Sequence, residues 1–237
     1  MTTEIKQPPK YTPITFSDAM VRALLSGKKT QTRRVIVPQP TFAAQPRFLY
    51  GPGHSGVGWY CCEDEYPDEG SVFIRSRYGH VGDRLWVREA WQVLGNEDGH
   101  PITRRRKLCT EEKAMRLYRA DGTPAPYGLT KLPGLRGHWE GKWRSPLRMN
   151  RWASRITLEL TQVRIQQLWK ITEDDAEAEG VERGTCPHPD CSPGSCASSK
   201  YRAAYLTLFD SLNANRGFTW VSNPWVFALT FKRVEVA

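Results

Sequence analysis

The sequence predicts an α+β fold, a mixed β-barrel with flanking helices and long loop insertions. Three observations support it: short β-branched or alternating segments recur, segments with helical spacing are few, and long stretches rich in Gly and Pro separate them. A chain of 237 residues has ample length to bury a core. We predict one domain over residues 1–237, with insertions at about 38–77, 95–142 and 183–199.

The composition is typical of a globular protein. Hydrophobic residues make up 39% of the chain, which contains nine Trp and nine Tyr. No apolar run approaches the roughly 20 residues that a membrane-spanning helix needs. The polar start over residues 1–6 lacks the apolar segment of a signal peptide. We therefore expect a cytoplasmic protein that has no membrane partner.

The N-terminal part of the chain predicts a helix, a basic turn and a strand. Residues 16–26 have one apolar face, with Ser17 as the N-cap and Gly27 as the stop. The β-branched residues 35–37 predict a strand. Between these elements, residues 27–34 bring together four cations and two hydroxyl groups, which indicates a candidate site.

Two residues of this basic segment could carry chemistry. Lys29 and Thr32 are three positions apart, so they share a side only if the segment curls as a turn. A Lys amine that a pocket partly strips of water can lose its proton near neutral pH and activate the weak Thr nucleophile. The same residues also fit a solvated basic loop after a helix.

The middle and the end of the chain predict the remaining elements. Residues 84–91 predict a strand whose apolar face also carries Glu89, and a carboxylate in that position is either paired with an Arg such as Arg34 or functional. The other predicted elements are strands at 114–120, 156–163 and 225–234 and helices that begin at Thr172 and span 200–212.

The helix that Thr172 caps contains an unusual carboxylate. Asp174 and Asp175 lie in its first turn, where the helix dipole favours anions. Glu179 lies beside Gly180, the predicted C-cap, where a negative charge costs about 0.3–1 kcal/mol. A solvated Glu tolerates that cost, so the position is a hint of function.

The net charge of +9 makes a polyanion the favoured class of partner. Arg residues also alternate with Trp, and an aromatic ring beside a cation suits an unpaired base. The alternative is that each Trp lies in the core and the Arg stems cover it. The candidate nucleic-acid-binding residues are Lys28, Arg33, Arg34, Arg88, Glu89, Trp91, Arg151, Trp152 and Arg155.

A cysteine-rich segment provides four candidate zinc ligands, separated by one, two and four residues: Cys186, His188, Cys191 and Cys196. The two-cysteine hooks of a zinc ribbon are absent from it. In a cytoplasmic protein a disulfide is not expected, which leaves a structural zinc or free thiols. We expect no cofactor to be required for catalysis.

Four segments in order resemble the motifs of ASCH domains, a PUA-like family associated with RNA. Residues 27–34 resemble its G-x-K-x-x-T-x-R signature, and residues 82–87 its G-D-x-L-x-V strand. Residues 171–181 are similar to its T-E-x-x-A-x-x-E helix, and residues 224–231 to its closing strand. The segments cover about half of the chain, which also resembles the longer ASCH-like proteins of bacteriophages and prophages.

The resemblance implies a PUA-like barrel and a set of catalytic residues. Small ASCH enzymes deacetylate N4-acetylcytidine as amidohydrolases, and the resemblance assigns Lys29 as base, Thr32 as nucleophile and Glu179 as proton donor. Arg34 would anchor the pocket or stabilise developing charge. A phage-borne protein would act inside the bacterial host cell.

Three functions follow from these features. The first is an amidohydrolase that acts on an N4-acylated cytidine or a related modified nucleobase, in a nucleoside or in RNA. The second is a non-catalytic module that binds RNA or modified bases. The third is a ribonuclease, which ranks last because the motifs contain no histidine and no carboxylate cluster for a metal. The expected partner is a nucleoside or RNA, and the sequence indicates no protein partner.

Overall fold

Helices and strands both contribute to the fold of the residues that the computed structural model describes, which are 8–40, 47–53, 56–62, 72–96, 100–105, 107–122, 143–184 and 200–235. The α-helices are α1 (Asp18–Leu25), α2 (Glu173–Ala178) and α3 (Tyr201–Asn213). The strands are β1 (Tyr11–Thr15), β2 (Gln31–Val35), β3 (Arg47–Gly53), β4 (Gly56–Cys62), β5 (Val72–Ile74), β6 (Arg84–Arg88), β7 (Trp91–Val93), β8 (Arg116–Tyr118), β9 (Thr157–Gln167) and β10 (Trp225–Val234). The predicted α+β class is confirmed.

A five-stranded mixed sheet forms the centre, in the order β1-β6-β9-β10-β2. Strands β1 and β6 run parallel, and the other neighbours pair antiparallel. Within the described ranges β1 and β2 are edge strands that do not pair with each other. Among the described strands the sheet is therefore open, and the predicted β-barrel is not observed.

The main core lies on the face of this sheet that α1 covers. Leu158 and Leu160 of β9 are buried there, as their predicted alternation requires. They pack in one cluster with Leu85 of β6, Leu229 of β10 and Val21 of α1. Each fully buried aliphatic side chain contributes roughly 1.5–3 kcal/mol relative to exposure, so this cluster fixes the position of α1 against the sheet.

A second sheet, β3-β4-β5, lies in the segment 38–77. We predicted an insertion with little regular structure, and this is wrong for its described part. Strands β3 and β4 form an antiparallel hairpin, and β5 adds to β4. A Cβ on Gly58 would lie 2.6 Å from the Ile74 carbonyl oxygen, so the glycine permits the close pairing of β4 and β5. Trp59 anchors the sheet by packing against Phe227 of β10.

Helices α2 and α3 pack together beside β2 and β10. Their contact is a cluster that includes Ala176, Tyr205, Phe209 and Val226. The Thr172 hydroxyl accepts a hydrogen bond from the Asp175 amide and so caps α2 as predicted. No helix in the described ranges combines the length and the apolar character that crossing a bilayer requires.

Candidate active site

A large cavity opens between the start of α1, strand β2, the chain after β5, the end of α2 and helix α3. Its volume is about 1340 Å³. We call it the basic cavity. Its described ionisable lining residues are Asp18, Lys29, Arg33, Arg34, Arg75, Arg77, Tyr78, Arg119, Glu179, Tyr205 and Arg216. The three residues to which the resemblance assigns catalysis, Lys29, Thr32 and Glu179, all line it.

The basic segment enters this cavity mostly as a strand. We predicted a turn as far as Arg34, but β2 begins at Gln31 because its backbone pairs with β10, Thr32 opposite Leu229. The turn is limited to the residues before it, where the Lys29 amide donates to the Ala23 carbonyl. Thr32 and Arg34, two residues apart on a strand, share one face.

The Lys29 ammonium is buried at the end of α2. Its Nζ donates to the Glu179 Oε2 over 2.8 Å and to the Glu179 carbonyl oxygen over 2.6 Å. Lys29 is 4% exposed and Glu179 is 3% exposed. Gly180, with φ +77°, makes this approach possible, because a Cβ there would lie 2.8 Å from Cβ of Lys29. The unfavourable carboxylate at a helix end is thus stabilised by a buried partner.

Arg33 holds Glu179 from the other side. Its guanidinium donates to Glu179 Oε1 over 3.2 Å and to Asp175 Oδ2 over 2.7 Å, and it lies 5.9 Å from the centre of the Tyr205 ring. Asp175 also accepts from Arg164 of β9 over 3.3 Å. Both oxygens of the Glu179 carboxylate therefore face cationic donors.

Burial sets the protonation of the groups around this pair. Desolvation lowers the pKa of Lys29 below 10.5 by more than the bonded Glu179 raises it, and the charges of Arg34 and Arg33 lower it further. Burial and the nearby Glu179 carboxylate raise the pKa of Tyr205 well above 10.0, so this phenol stays neutral. Of the Lys29 ammonium and the Tyr205 phenol, Lys29 is the one that releases its proton more readily than the free side chain does.

Phe16 lies between two of the cations. The Lys29 Nζ lies 5.5 Å from the centre of the Phe16 ring, and the Arg34 guanidinium lies 5.1 Å from it. Arg34 also donates to the Thr15 carbonyl oxygen over 2.8 Å, which fixes its orientation. The cavity thus combines an amine with a lowered pKa, a hydroxyl on Thr32 and an oriented guanidinium, the parts that acyl transfer requires.

Comparison with known proteins found no relative of this chain. No protein-family model matches the chain, and no curated protein or solved structure shows significant similarity to it. The geometry of the basic cavity and the four motifs are therefore the features that indicate a function.

Several candidate nucleic-acid-binding residues lie elsewhere. Glu89 is fully buried, and both of its oxygens accept from Arg155 over 3.0 Å. We predicted pairing with Arg34 or another Arg, and the partner is an Arg other than Arg34. Arg155 also binds Asp121 over 2.7 and 2.9 Å. Trp91 is 1% exposed, which contradicts a role in stacking on a base and supports the alternative that it belongs to the core.

The other members of that set form separate contacts. Trp152 is half-buried and packs edge-on against Trp91, with ring centres 5.4 Å apart. Arg151 is exposed, and its guanidinium lies 3.5 Å from the centre of the Tyr11 ring. Arg88 lies over Trp86 at 4.7 Å, and Lys28 is exposed. From the candidate set, only Arg33 and Arg34 line the basic cavity.

The candidate zinc ligands Cys186, His188, Cys191 and Cys196 lie outside the described residues. In the described part of the chain, no group of three or more His, Cys, Asp or Glu side chains could hold a metal ion.

Three residues of the site escaped sequence reasoning. Asp175 was assigned to the helix dipole, Phe16 to the predicted helix over 16–26, and Tyr205 to the predicted helix over 200–212 without a role in the site. Each assignment accounts for the residue locally, so no remaining signal pointed to a second role. Helical spacing does place Asp175 four positions before Glu179, on the same side of α2, and this could have indicated the shared Arg33.

Proposed function

We propose that the protein is an ASCH-like amidohydrolase that removes the acyl group from N4 of an acylated cytosine, in a nucleoside or in RNA. The observation that carries the proposal is the buried Lys29–Glu179 pair in the same cavity as Thr32. A lysine of lowered pKa is a suitable general base, and a hydroxyl in the same cavity is a suitable nucleophile. The matching motif positions support the same three residues.

The first step forms an acyl-enzyme. The neutral Lys29 amine takes the proton of the Thr32 hydroxyl, while the hydroxyl oxygen bonds to the acyl carbon of the substrate. The carbonyl π electrons move to its oxygen and form a tetrahedral oxyanion. Arg34 shares a strand face with Thr32, so its guanidinium is suited to stabilise that oxyanion.

The following steps release first the cytosine nucleobase and then the carboxylic acid. The oxyanion collapses, the bond from carbon to N4 breaks, and the Lys29 ammonium returns its proton to N4. Water then attacks the Thr32 ester with Lys29 again as base, which releases the carboxylic acid and restores the hydroxyl. Atoms and charges balance over the cycle without a cofactor.

Glu179 takes a different part in this scheme from the proton donor that the resemblance implies. Arg33 and Lys29 each donate to one of its oxygens, so neither oxygen is directed to a substrate without first breaking an ion pair. The geometry favours Glu179 as the group that orients the Lys29 amine and balances its charge when it is protonated.

The test is incubation of the purified chain with N4-acetylcytidine and chromatographic detection of cytidine. We expect release of cytidine, and we expect Thr32→Ser to retain part of the activity while the isosteric Thr32→Val loses it. Rapid quenching followed by mass spectrometry should find the acetyl group on the peptide that contains Thr32. Absence of cytidine, or full activity of Thr32→Val, would exclude the proposal.

A non-catalytic RNA-binding or modified-base-binding module is the second candidate, and the many cations of the basic cavity favour it. It predicts that Thr32→Val binds the same ligands as the parent chain and that neither turns over. For either function, we also propose a PUA-like arrangement of the sheet and a location in the cytoplasm, where nucleosides and RNA occur.

A further inference from the structure

The lining of the basic cavity has an excess of positive charge. Seven described lining residues are Lys or Arg, and two are acidic. Both acidic residues are already engaged: Glu179 binds Lys29 and Arg33, and Asp18 binds Arg119. A concave site lined by one sign of charge concentrates the potential and attracts ligands of the opposite sign.

Two of the cations lie apart from the Lys29–Glu179 pair and lack a carboxylate partner within the described residues. Arg77 follows β5, and its guanidinium lies 5.8 Å from the centre of the Tyr78 ring. Arg216 follows α3 and donates to the Asn213 side-chain oxygen over 3.4 Å. Both are exposed, on different elements of the cavity wall.

The cavity is also larger than a nucleoside requires. Pockets that enclose a drug-sized molecule usually have about 300–1,000 Å³, and the basic cavity has about 1340 Å³. The proposed chemistry uses Lys29, Thr32, Glu179 and Arg34. It therefore leaves part of the cavity volume unused and gives no role to the guanidinium groups of Arg77 and Arg216.

We propose that the substrate of this cavity carries phosphate, which Arg77 and Arg216 bind. The ligand class is a nucleoside phosphate ester, either a mononucleotide or a nucleotide within a polynucleotide. The identity of its base depends on the proposed function, but the phosphate site does not. Guanidinium groups recognise phosphate oxygens through paired charge-assisted hydrogen bonds, which suits Arg at these two positions.

The first experiment compares three substrates: N4-acetylcytidine, its 5′-monophosphate, and a short RNA that contains one N4-acetylcytidine. We expect kcat/KM to be at least about tenfold higher for a phosphorylated substrate at low salt. The gain should shrink as NaCl is raised, because the ions screen the phosphate contacts. Equal kcat/KM values for all three substrates would overturn the phosphate site and leave the amidohydrolase proposal intact.

Variants then test which residues provide the gain. The double variant of Arg77→Gln and Arg216→Gln should reduce the ratio of kcat/KM between the monophosphate and the nucleoside to near one. Arg233→Gln, an exposed substitution on β10 away from the cavity, should leave the ratio unchanged. Because both substrates are measured with the same sample of each variant, this ratio does not depend on the fraction of folded protein. An unchanged ratio in the double variant would contradict the assignment to these two residues.

A binding measurement separates the two proposals. Calorimetric titration with cytidine, cytidine 5′-monophosphate and an unmodified RNA requires no turnover, so it applies even if no substrate is hydrolysed. Tighter binding of the monophosphate than of cytidine supports a mononucleotide, with a terminal phosphate, as the ligand. Tight, salt-sensitive binding of the RNA alone supports a polynucleotide. No preference for either phosphorylated ligand overturns the inference.

Discussion

Two buried carboxylates of this protein have similar partners and different surroundings. Glu179 binds Lys29 and Arg33, and Glu89 binds Arg155 through both of its oxygens. Glu179 lines the basic cavity, whereas Glu89 lies outside the described lining, at the end of β6. Burial of an acid against a cation is therefore common to both regions and does not by itself identify a site.

The difference lies in the cation. Burial lowers the pKa of Arg155, but its bonds to Glu89 and Asp121 outweigh that effect and raise the pKa above its ordinary value, so the guanidinium stays charged. At Lys29 the balance is reversed, and the pKa is lowered. One region is a structural ion pair that ties the chain after β6 to the chain before β9. The other contains a group that can exchange a proton.

The largest effect should follow replacement of the Lys29 amine. Lys29→Met keeps an unbranched side chain that is one atom shorter and has no amine, and Glu179 keeps its bond to Arg33. Since a positioned general base contributes about 10²–10⁴-fold to a rate, we expect kcat/KM on N4-acetylcytidine to fall by that factor. Circular dichroism would check that the variant is folded.

The neighbouring residue provides the matched control for this variant. Lys28 is exposed and lies outside the described cavity lining, so Lys28→Met should keep kcat/KM within about twofold on the nucleoside. If Lys29→Met kept more than a tenth of the parent activity, or both variants lost the same activity, the basic cavity would have no catalytic lysine and the contrast with Glu89 would disappear.

Removal of the structural cation should act on stability instead. Arg155→Met leaves the Glu89 carboxylate buried without its cation, a change that typically costs about 3–5 kcal/mol. Urea unfolding should show this loss in the free energy of unfolding. Arg119→Met breaks the more exposed pair with Asp18 and should cost less than about 1 kcal/mol. If both variants lost the same free energy of unfolding, the Glu89 carboxylate would not need Arg155 to remain buried in the folded protein.

Local pattern predicted much of the fold. The strand at 225–234 and the helix at 200–212 were placed from alternation and spacing, and they match β10 and α3 within one residue. Helix α3 has an apolar face, and β10 contains a run of four consecutive buried residues, 226–229, so local composition was enough to place both elements. The start of β2 was missed because Gln31, Arg33 and Arg34 are strand residues through the backbone bonds of β2 to β10 rather than through their composition.

Long-range pairs were the hardest to predict. Lys29 and Glu179 are 150 residues apart, and nothing in the spacing of either segment specifies that they meet. Only the resemblance of two motifs to one family assigned them a common role. Glu89 shows the opposite case, because alternation predicted its inward position, yet its partner Arg155 lies 66 residues away and could not be chosen from the sequence.

The pH dependence of activity is the third way to test the contrast. Since the neutral amine is the base, kcat/KM should rise with pH as the Lys29 ammonium loses its proton. The pKa of Lys29 is lowered, so the midpoint of the rise should lie below 10.5. Arg155→Met should leave this midpoint unchanged. If kcat/KM fell with rising pH over this range, catalysis would require a protonated group, and Lys29 would not be the general base.

The smallest effect should be a displacement of that midpoint by Arg34. The charge of Arg34 lowers the pKa of Lys29, because a second cation disfavours the ammonium. Arg34→Gln should therefore move the midpoint of the pH profile upward, in addition to lowering the maximal rate through the oxyanion. Arg22→Gln on the exposed side of α1 is the control, with an unchanged midpoint. If Arg34→Gln lowered the rate at every pH by one factor, Arg34 would act on the substrate alone, and burial together with the charge of Arg33 would have to account for the lowered pKa of Lys29.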